Sequence, residues 1–323
     1  MFRERHIMKR VLITGVAGFI GSHLAERLIE RGDTVIGIDD FNDYYAPAIK
    51  RNNVCALMQH ESFRLHELDI CAVDALRGVF EKEKPKVVVH LAARAGVRPS
   101  LRDPILYHQV NVIGGQYILD ACRDFNTSHL VFASSSSVYG GSTSIPFQET
   151  DPVMRPVSPY AATKRMNELQ AWVHHHLYGL RVSMLRFFTV YGPRQRPDMA
   201  IHKFTRQILE GRPIPLFGDG STRRDYTYID DIIQGVLQCV DKPFDYEIFN
   251  LGESKTTTLA ELVALIEKHT GKKAIIDRQP MQPGDVEITY ADISHARACL
   301  GYAPQFSMDE GIARFVRWFK DNA

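Results

Sequence analysis

Short apolar runs alternate with stretches of helical spacing along the first two thirds of the chain. Val11-Leu12-Ile13-Thr14 is a short, largely apolar run with three β-branched residues, as a parallel strand buried on both faces should be. A glycine-rich turn, Gly15 to Gly21, closes it, and helical periodicity follows through Leu24, Leu28 and Ile29. The same alternation continues with strands at Thr34 to Ile38, Phe63 to Leu65, Val87 to Leu91, Leu130 to Ala133 and Arg181 to Leu185. Helices are predicted over Ala72 to Lys84, Pro104 to Cys122 and from Pro159 to Leu177. Strand–helix repetition of this kind predicts an α/β fold, a Rossmann-type doubly wound parallel sheet with right-handed crossovers. Past Gly192 the alternation weakens while Pro, Gly and Arg rise, so the chain divides into a dinucleotide-binding domain over 8–191 and a smaller α/β substrate-binding domain over 192–323, with chain able to cross back.

Composition narrows the function without naming it. A length of 323 residues and 45% hydrophobic content suffice for a sizeable core, and a net charge of +1 offers neither a nucleic-acid surface nor a polybasic membrane patch. No apolar run approaches the roughly 20 residues needed to cross a bilayer, and no secretory signal pattern opens the chain. The charged stub Met1 to Ile7 leaves Met8 as an equally natural start. Cys55, Cys71, Cys122, Cys239 and Cys299 lack metal-binding spacing and pairing, which suits a reducing, cytoplasmic setting. His174-His175-His176 points three ways from a helix and cannot grip one ion, so it reads as a solvated helix end, and no metal is expected.

The candidate chemistry sits at the ends of the predicted strands. Gly15, Gly18 and Gly21 permit a tight turn, close approach of backbone to a pyrophosphate, and close helix–strand packing. Phe19 and Ile20 then open a helix whose N-terminus meets phosphate charge. Asp39, close to 20 residues on, is placed to accept hydrogen bonds from ribose hydroxyls and to repel a 2′-phosphate, favouring NAD over NADP. Asp40 reads as a turn residue. Asp69-Ile70 follows the third strand and can meet the adenine. Leu91, Ala92 and Ala93 are small or apolar residues that let a cofactor approach the fourth strand. In Tyr160-Ala161-Ala162-Thr163-Lys164 the four-residue step puts phenol and ammonium on one helix face. A cation roughly 5 Å away at an effective dielectric of about 20 favours phenolate by about 3 kcal/mol, or about two pKa units, enough to make tyrosine a general base. Ser134 to Ser137 place hydroxyls at a strand end, and arginines on the later loops, Arg196 and Arg224 among them, suit diphosphate or carboxylate.

Taken jointly, Thr14 to His23, His90 to Ala93, Ser134 to Gly140, Tyr160 to Lys164 and Arg224-Asp225-Tyr226 resemble the extended short-chain dehydrogenases of the NAD-dependent epimerase/dehydratase family. The resemblance runs from Lys9 to Trp318. It implies Ser135, Tyr160 and Lys164 as the catalytic set, NAD retained through the cycle, a cofactor role for Asn111, a diphosphate role for Arg224, and a homodimer through a four-helix bundle. Within the family, Arg186 to Pro193, Arg196 to Ala200 and Met281 to Val286 look like the UDP-glucuronate 4-epimerases. That implies interconversion of UDP-glucuronate and UDP-galacturonate through a 4-keto sugar, with Arg98, Ser136, Ser137, Thr189, Arg196, Arg224 and Asp285 on the substrate. UDP-glucose/UDP-galactose 4-epimerases usually carry Asn at the position of Thr189 and often Arg at that of Gln282. A UDP-glucuronate decarboxylase, which keeps the Tyr–Lys pair, is the other alternative. A 4,6-dehydratase would need acids where Ser136 and Ser137 stand.

Overall fold

The computed structural model describes residues 8–280 and 286–322. In chain order the first part runs β1 (Arg10–Thr14), α1 (Phe19–Glu30), β2 (Thr34–Asp39), α2 (Pro47–Cys55), β3 (Phe63–Glu67), α3 (Val73–Glu83), β4 (Val87–His90), α4 (Val97–Arg102), α5 (Pro104–Tyr107), α6 (Gly114–Asp124), β5 (His129–Ser135) and α7 (Pro159–Tyr178). It continues with β6 (Val182–Phe187), β7 (Thr189–Tyr191), α8 (Ala200–Leu209), β8 (Ile214–Phe217), β9 (Arg223–Arg224), β10 (Tyr226–Tyr228), α9 (Ile229–Asp241), β11 (Tyr246–Leu251), β12 (Thr257–Thr258), α10 (Leu259–Thr270), β13 (Ile276–Gln279), α11 (Ser294–Leu300) and α12 (Met308–Asn322).

The central sheet has seven strands in the order β11-β6-β5-β4-β1-β2-β3. The parallel registers around β1 pair Leu12 with Ile36 on one side and with Val88 on the other. Strand order reverses at β1, so this is the doubly wound sheet that the alternation predicts. Leu12, Ile36, Val88, Leu119, Phe132 and Met184 are all fully buried in its core. At about 25 cal/mol per Å² of apolar surface, each such side chain stabilises the fold by about 1.5–3 kcal/mol.

Two compact units divide the chain, both discontinuous in sequence. The first holds the residues up to Ser134, Ser158–Leu185 and Val236–Ile248; the second holds Ser135–Val157, Arg186–Gly235 and the residues from Phe249 onward. In the first unit, Arg31 binds Asp241 (Nη1 to Oδ2, 2.8 Å), and the ring of His129 meets the Cys239 carbonyl at 3.0 Å. These contacts hold the 236–248 segment there.

In the second unit the paired strands are short, and buried polar groups organise the loops between them. Asp225 is fully buried; its Oδ1 accepts from Glu253 N–H (2.7 Å) and its Oδ2 from Ser254 (3.0 Å) and Ala291 (3.1 Å). Burial pushes its pKa up to about 6 against these donors. Arg186, also buried, donates to Tyr139 Oη at 2.9 Å, and that hydroxyl donates to Asn250 Oδ1 at 2.7 Å.

Two expectations need correction. The pattern from Pro104 to Cys122 is not one α-helix: His108–Ile113 forms a π-helical segment between α5 and α6. His174 is not at a solvated helix end. It is buried, and its Nε2 lies 3.1 Å from Asp120 Oδ1. The sequence suggested solvent because three adjacent histidines cannot all face one way; His174 is the one turned inward, while His176 is exposed.

Candidate active site

The glycine turn between β1 and α1 is shaped by backbone proximity. Gly15 has φ +72°, and a Cβ there would lie 2.8 Å from Ala92 N. A Cβ on Gly21 would come within 2.2 Å of the Gly15 carbonyl. Only glycine fits either place. Gly18 is the N-cap of α1, no side chain caps this helix, and its first turn carries no acid. Phe19 and Ile20 lead that turn. A helix start without a capping carboxylate, behind a turn that excludes Cβ atoms, is a donor set suited to phosphate.

Asp39, the last residue of β2, is buried, with Oδ2 accepting from Ala17 N–H (3.0 Å) and Oδ1 from Phe41 N–H (2.9 Å). Burial raises its pKa, opposed by the Phe41 hydrogen bond and the charge of Lys50. The carboxylate therefore secures the glycine turn, and its oxygens retain lone pairs for ribose hydroxyls. Asp40 caps its own turn, accepting from Asn42 N–H at 3.0 Å. Asp69 is exposed and Ile70 buried beside it. Leu91, Ala92 and Ala93 follow β4, half-buried. Thr14 Oγ1 accepts from Ala92 N–H at 3.2 Å and meets His90 Nδ1 at 2.6 Å, which ties the ends of β1 and β4.

Asn111 stands in the π-helical segment and is buried. Its Oδ1 accepts from Arg94 N–H at 2.8 Å; its Nδ2 donates to the Arg94 carbonyl and to Thr163 Oγ1, both at 3.0 Å. The side chain thus clamps the loop after β4 to α7. Asn167, on α7, donates in turn to the Asn111 carbonyl at 2.8 Å.

Tyr160 and Lys164 lie on α7, which Ser158 caps by accepting from Ala161 N–H at 3.1 Å, with Pro159 in the first turn and Gly179 at φ +67° ending it. Tyr160 is half-buried, its ring edge-on to Tyr107 with centroids 6.2 Å apart. Lys164 is buried, and its ammonium donates to the Ala133 carbonyl at 2.8 Å. Burial pulls its pKa down to about 8, against the charge of Glu168. His90 is driven to about 3 by its own burial and then by Lys164, so it stays neutral. Glu168, fully buried, accepts from Ser134 Oγ at 2.7 Å and from Arg165 Nη1 at 2.8 Å. Sequence reasoning passed over Glu168 and Asn167. The signal for Glu168 was a further step of four along the Tyr160–Lys164 face.

In the second unit Ser135 is buried and its Oγ accepts from Ser137 N–H at 3.1 Å, starting a 3-10 turn that carries Ser136 and Ser137, both half-buried. Thr189 opens β7, paired with Tyr226 of β10, and its N–H donates to the Asp225 carbonyl at 3.0 Å. Arg224, on β9, donates to the Arg223 carbonyl at 2.8 Å. Arg196 forms a two-pronged ion pair with Asp198, at 3.0 and 2.9 Å. Arg98 of the first unit is exposed at the start of α4. Asp285 lies outside the described residues. Among the described residues no group of three His, Cys, Asp or Glu could hold a metal ion, and no helix is long and apolar enough to cross a membrane.

Comparison with known proteins shows what this chain is similar to. Residues 12–315 match the family described as GDP-mannose 4,6 dehydratase. A UDP-glucuronate 4-epimerase of Thermodesulfobacterium geofontis is 45% identical, over 96% of each chain. A crystal structure of a UDP-glucuronic acid 4-epimerase from Bacillus cereus, in complex with UDP-glucuronic acid and NAD, superposes with a TM-score of 0.91 at 36% identity, covering 97% of this chain and 99% of that one. A Thermus thermophilus UDP-glucose 4-epimerase bound to NAD reaches 0.89 at 33% identity, over 97% and 100% of the two chains. With its glycine turn, its Tyr160–Lys164 helix and a match over nearly its whole length, the chain belongs to the GDP-mannose 4,6 dehydratase family of extended short-chain dehydrogenases.

Proposed function

We propose that this protein is an NAD-dependent UDP-sugar 4-epimerase, an isomerase that interconverts UDP-glucuronate and UDP-galacturonate. The observation that carries the reading is the buried Lys164 ammonium, fixed on the Ala133 carbonyl one helical turn beyond Tyr160. The 45% identity to a UDP-glucuronate 4-epimerase supports the uronate as substrate.

The residues that suit the cofactor are Gly15, Gly18, Phe19, Ile20 and Gly21 for the pyrophosphate, Asp39 for the ribose, Asp69 and Ile70 for the adenine, and Leu91, Ala92 and Ala93 along its path. Asn111 serves through the loop that it clamps. When bound, NAD supplies the hydride acceptor and, reduced, the hydride donor for C4 of the sugar. Tyr160 takes the proton of the 4-hydroxyl and returns it after the 4-keto sugar has turned over. Lys164 favours the phenolate electrostatically and reaches the nicotinamide ribose, and Ser135 donates to the same sugar oxygen as charge develops on it. Arg224 takes the nucleotide diphosphate, and Arg98 and Asp285 serve other parts of the substrate.

A 4-keto uronate carries a carboxylate β to a ketone and loses carbon dioxide when the bond to that carboxylate aligns with the carbonyl π system. Ser136, Ser137, Thr189 and Arg196 hold the carboxylate out of that alignment. Arg196 already faces the Asp198 carboxylate, so it shares its charge and does not lock the sugar in place. Incubation with UDP-glucuronate, with products read by NMR, tests the reading. The expected product is the 4-epimer; a UDP-pentose with carbon dioxide, or turnover of UDP-glucose alone, would overturn it.

The surface of α7 supports a homodimer. Met166, Leu169, Trp172, Val173 and Leu177 are all exposed there, with Trp172 49% and Leu177 60% accessible. A run of apolar residues at helical spacing is not left in water without a purpose. A second copy, pairing this helix and the α5–π–α6 stretch about a two-fold axis, would bury it. Sedimentation showing only a species of 36.7 kDa at micromolar concentration would rule the dimer out. The scattered free cysteines suit the cytoplasm.

A further inference from the structure

We propose that Glu168 is a positioning residue whose charge keeps Lys164 in its ammonium form, so that Tyr160, Lys164 and Glu168 act as one electrostatic column on a single face of α7. The inference deepens the catalytic reading given above and rests on it. Glu168 follows Lys164 by four residues, as Lys164 follows Tyr160, and such positions share a helix face. Both Lys164 and Glu168 are buried, so solvent screens their interaction little.

Several groups meet the pair. Ser134 donates to Glu168 Oε1 at 2.7 Å and Arg165 to its Oε2 at 2.8 Å, while the Tyr246 hydroxyl donates to its backbone carbonyl at 3.0 Å. From β4, His90 faces Lys164 but is neutral through the working range. Glu168 is thus the charge that counters the desolvation of Lys164, which stands near its titration point at about pH 8. Arg165, 27% exposed in its side chain, draws on the same carboxylate and weakens that support. The sign follows directly. Below about pH 8 the ammonium is present and favours the Tyr160 phenolate; above it the cation and the rate fall together.

Two substitutions should move this point in opposite directions. Glu168→Gln keeps an acceptor for Ser134 but removes the charge, and the Lys164 midpoint should fall by about one to two pH units. A fall of one unit lowers the ammonium fraction at pH 8 about fivefold, and the high-pH limb of kcat should move with it while bound NAD is unchanged. Glu168→Asp should restore the profile. Arg165→Ala, at a partly exposed position, should raise the midpoint. The reading is taken from the 13Cε resonance of Lys164 in lysine-labelled holoenzyme, assigned by its loss in Lys164→Met. This measurement needs no turnover, so it separates the role of Glu168 from the identity of the reaction. An unmoved Lys164 midpoint in Glu168→Gln, or equal losses of rate at every pH, overturns the proposal. If Glu168→Gln does not fold, a downward or absent shift in Arg165→Ala overturns it instead.

Discussion

The two units build their functional residues on different supports. In the first, Tyr160 and Lys164 stand on a 20-residue helix capped at both ends, against a parallel strand whose carbonyl holds the ammonium. In the second, Thr189 sits on a strand of three residues and Arg224 on one of two, and the buried Asp225 holds the surrounding loops through backbone N–H groups. Proton transfer needs atoms fixed to within about half an ångström, which long elements supply. Discrimination among sugars needs groups that can vary while the scaffold stays, and loops supply that. On the proposed function the Tyr160–Lys164 acid–base pair stands on the first unit, while the second supplies Ser135 and most of the groups proposed to choose the sugar.

Tyr160→Phe should test this division most severely. It removes the acid/base but leaves the glycine turn and Asp39 intact, so turnover should drop by about 10³-fold with NAD still present after purification. Loss of NAD along with activity would mean that binding and chemistry are not separable in the first unit. Asp39→Ala should come next, with NAD held about ten to a hundred times more weakly, since a charged acceptor is lost. NADP should gain access, as competition binding would show. An unchanged NADP/NAD ratio would remove Asp39 from cofactor choice. Thr189→Val should give the smallest effect and sharpen the comparison from the other side. It keeps shape, deletes a hydroxyl, and should raise the fraction released as UDP-4-keto-pentose about tenfold, while the rate of NADH appearance in a single turnover changes less. If oxidation slows as much as product partitioning shifts, Thr189 takes part in the chemistry and the division fails.

The same contrast explains what could be read in the sequence. The β1 run, the glycine turn and the Tyr160–Lys164 step were legible because a buried parallel strand and a capped helix each write a periodic pattern. The helix α2 was not, because its buried positions are Lys50, Asn53 and Val54, two of them polar. In the second unit the buried Asp225 and the Arg186–Tyr139–Asn250 chain satisfy polar groups across long sequence separations, which leaves no local pattern. Asn111 stands out only through the family resemblance, and the structure adds its grip on the Arg94 backbone. Arg196 lies in a loop, but nothing in Arg196-Pro197-Asp198 announces that the neighbouring acid pairs with it.

The π-helical segment at His108–Ile113 has a consequence for how this chain tolerates change in length. A π turn holds one residue more than an α turn, so deleting any one residue from it would let α5 and α6 join as ordinary α-helix. The wider turn absorbs its extra residue within itself, so α5 and α6 would keep nearly the same faces after the deletion. The change would fall on the segment itself, where Asn111 holds the Arg94 backbone through both its Oδ1 and its Nδ2. The extra residue there sets the placement of one side chain against the loop after β4 while leaving the helices on either side in phase. Indels elsewhere on the surface should be far better tolerated than a single one in these six positions.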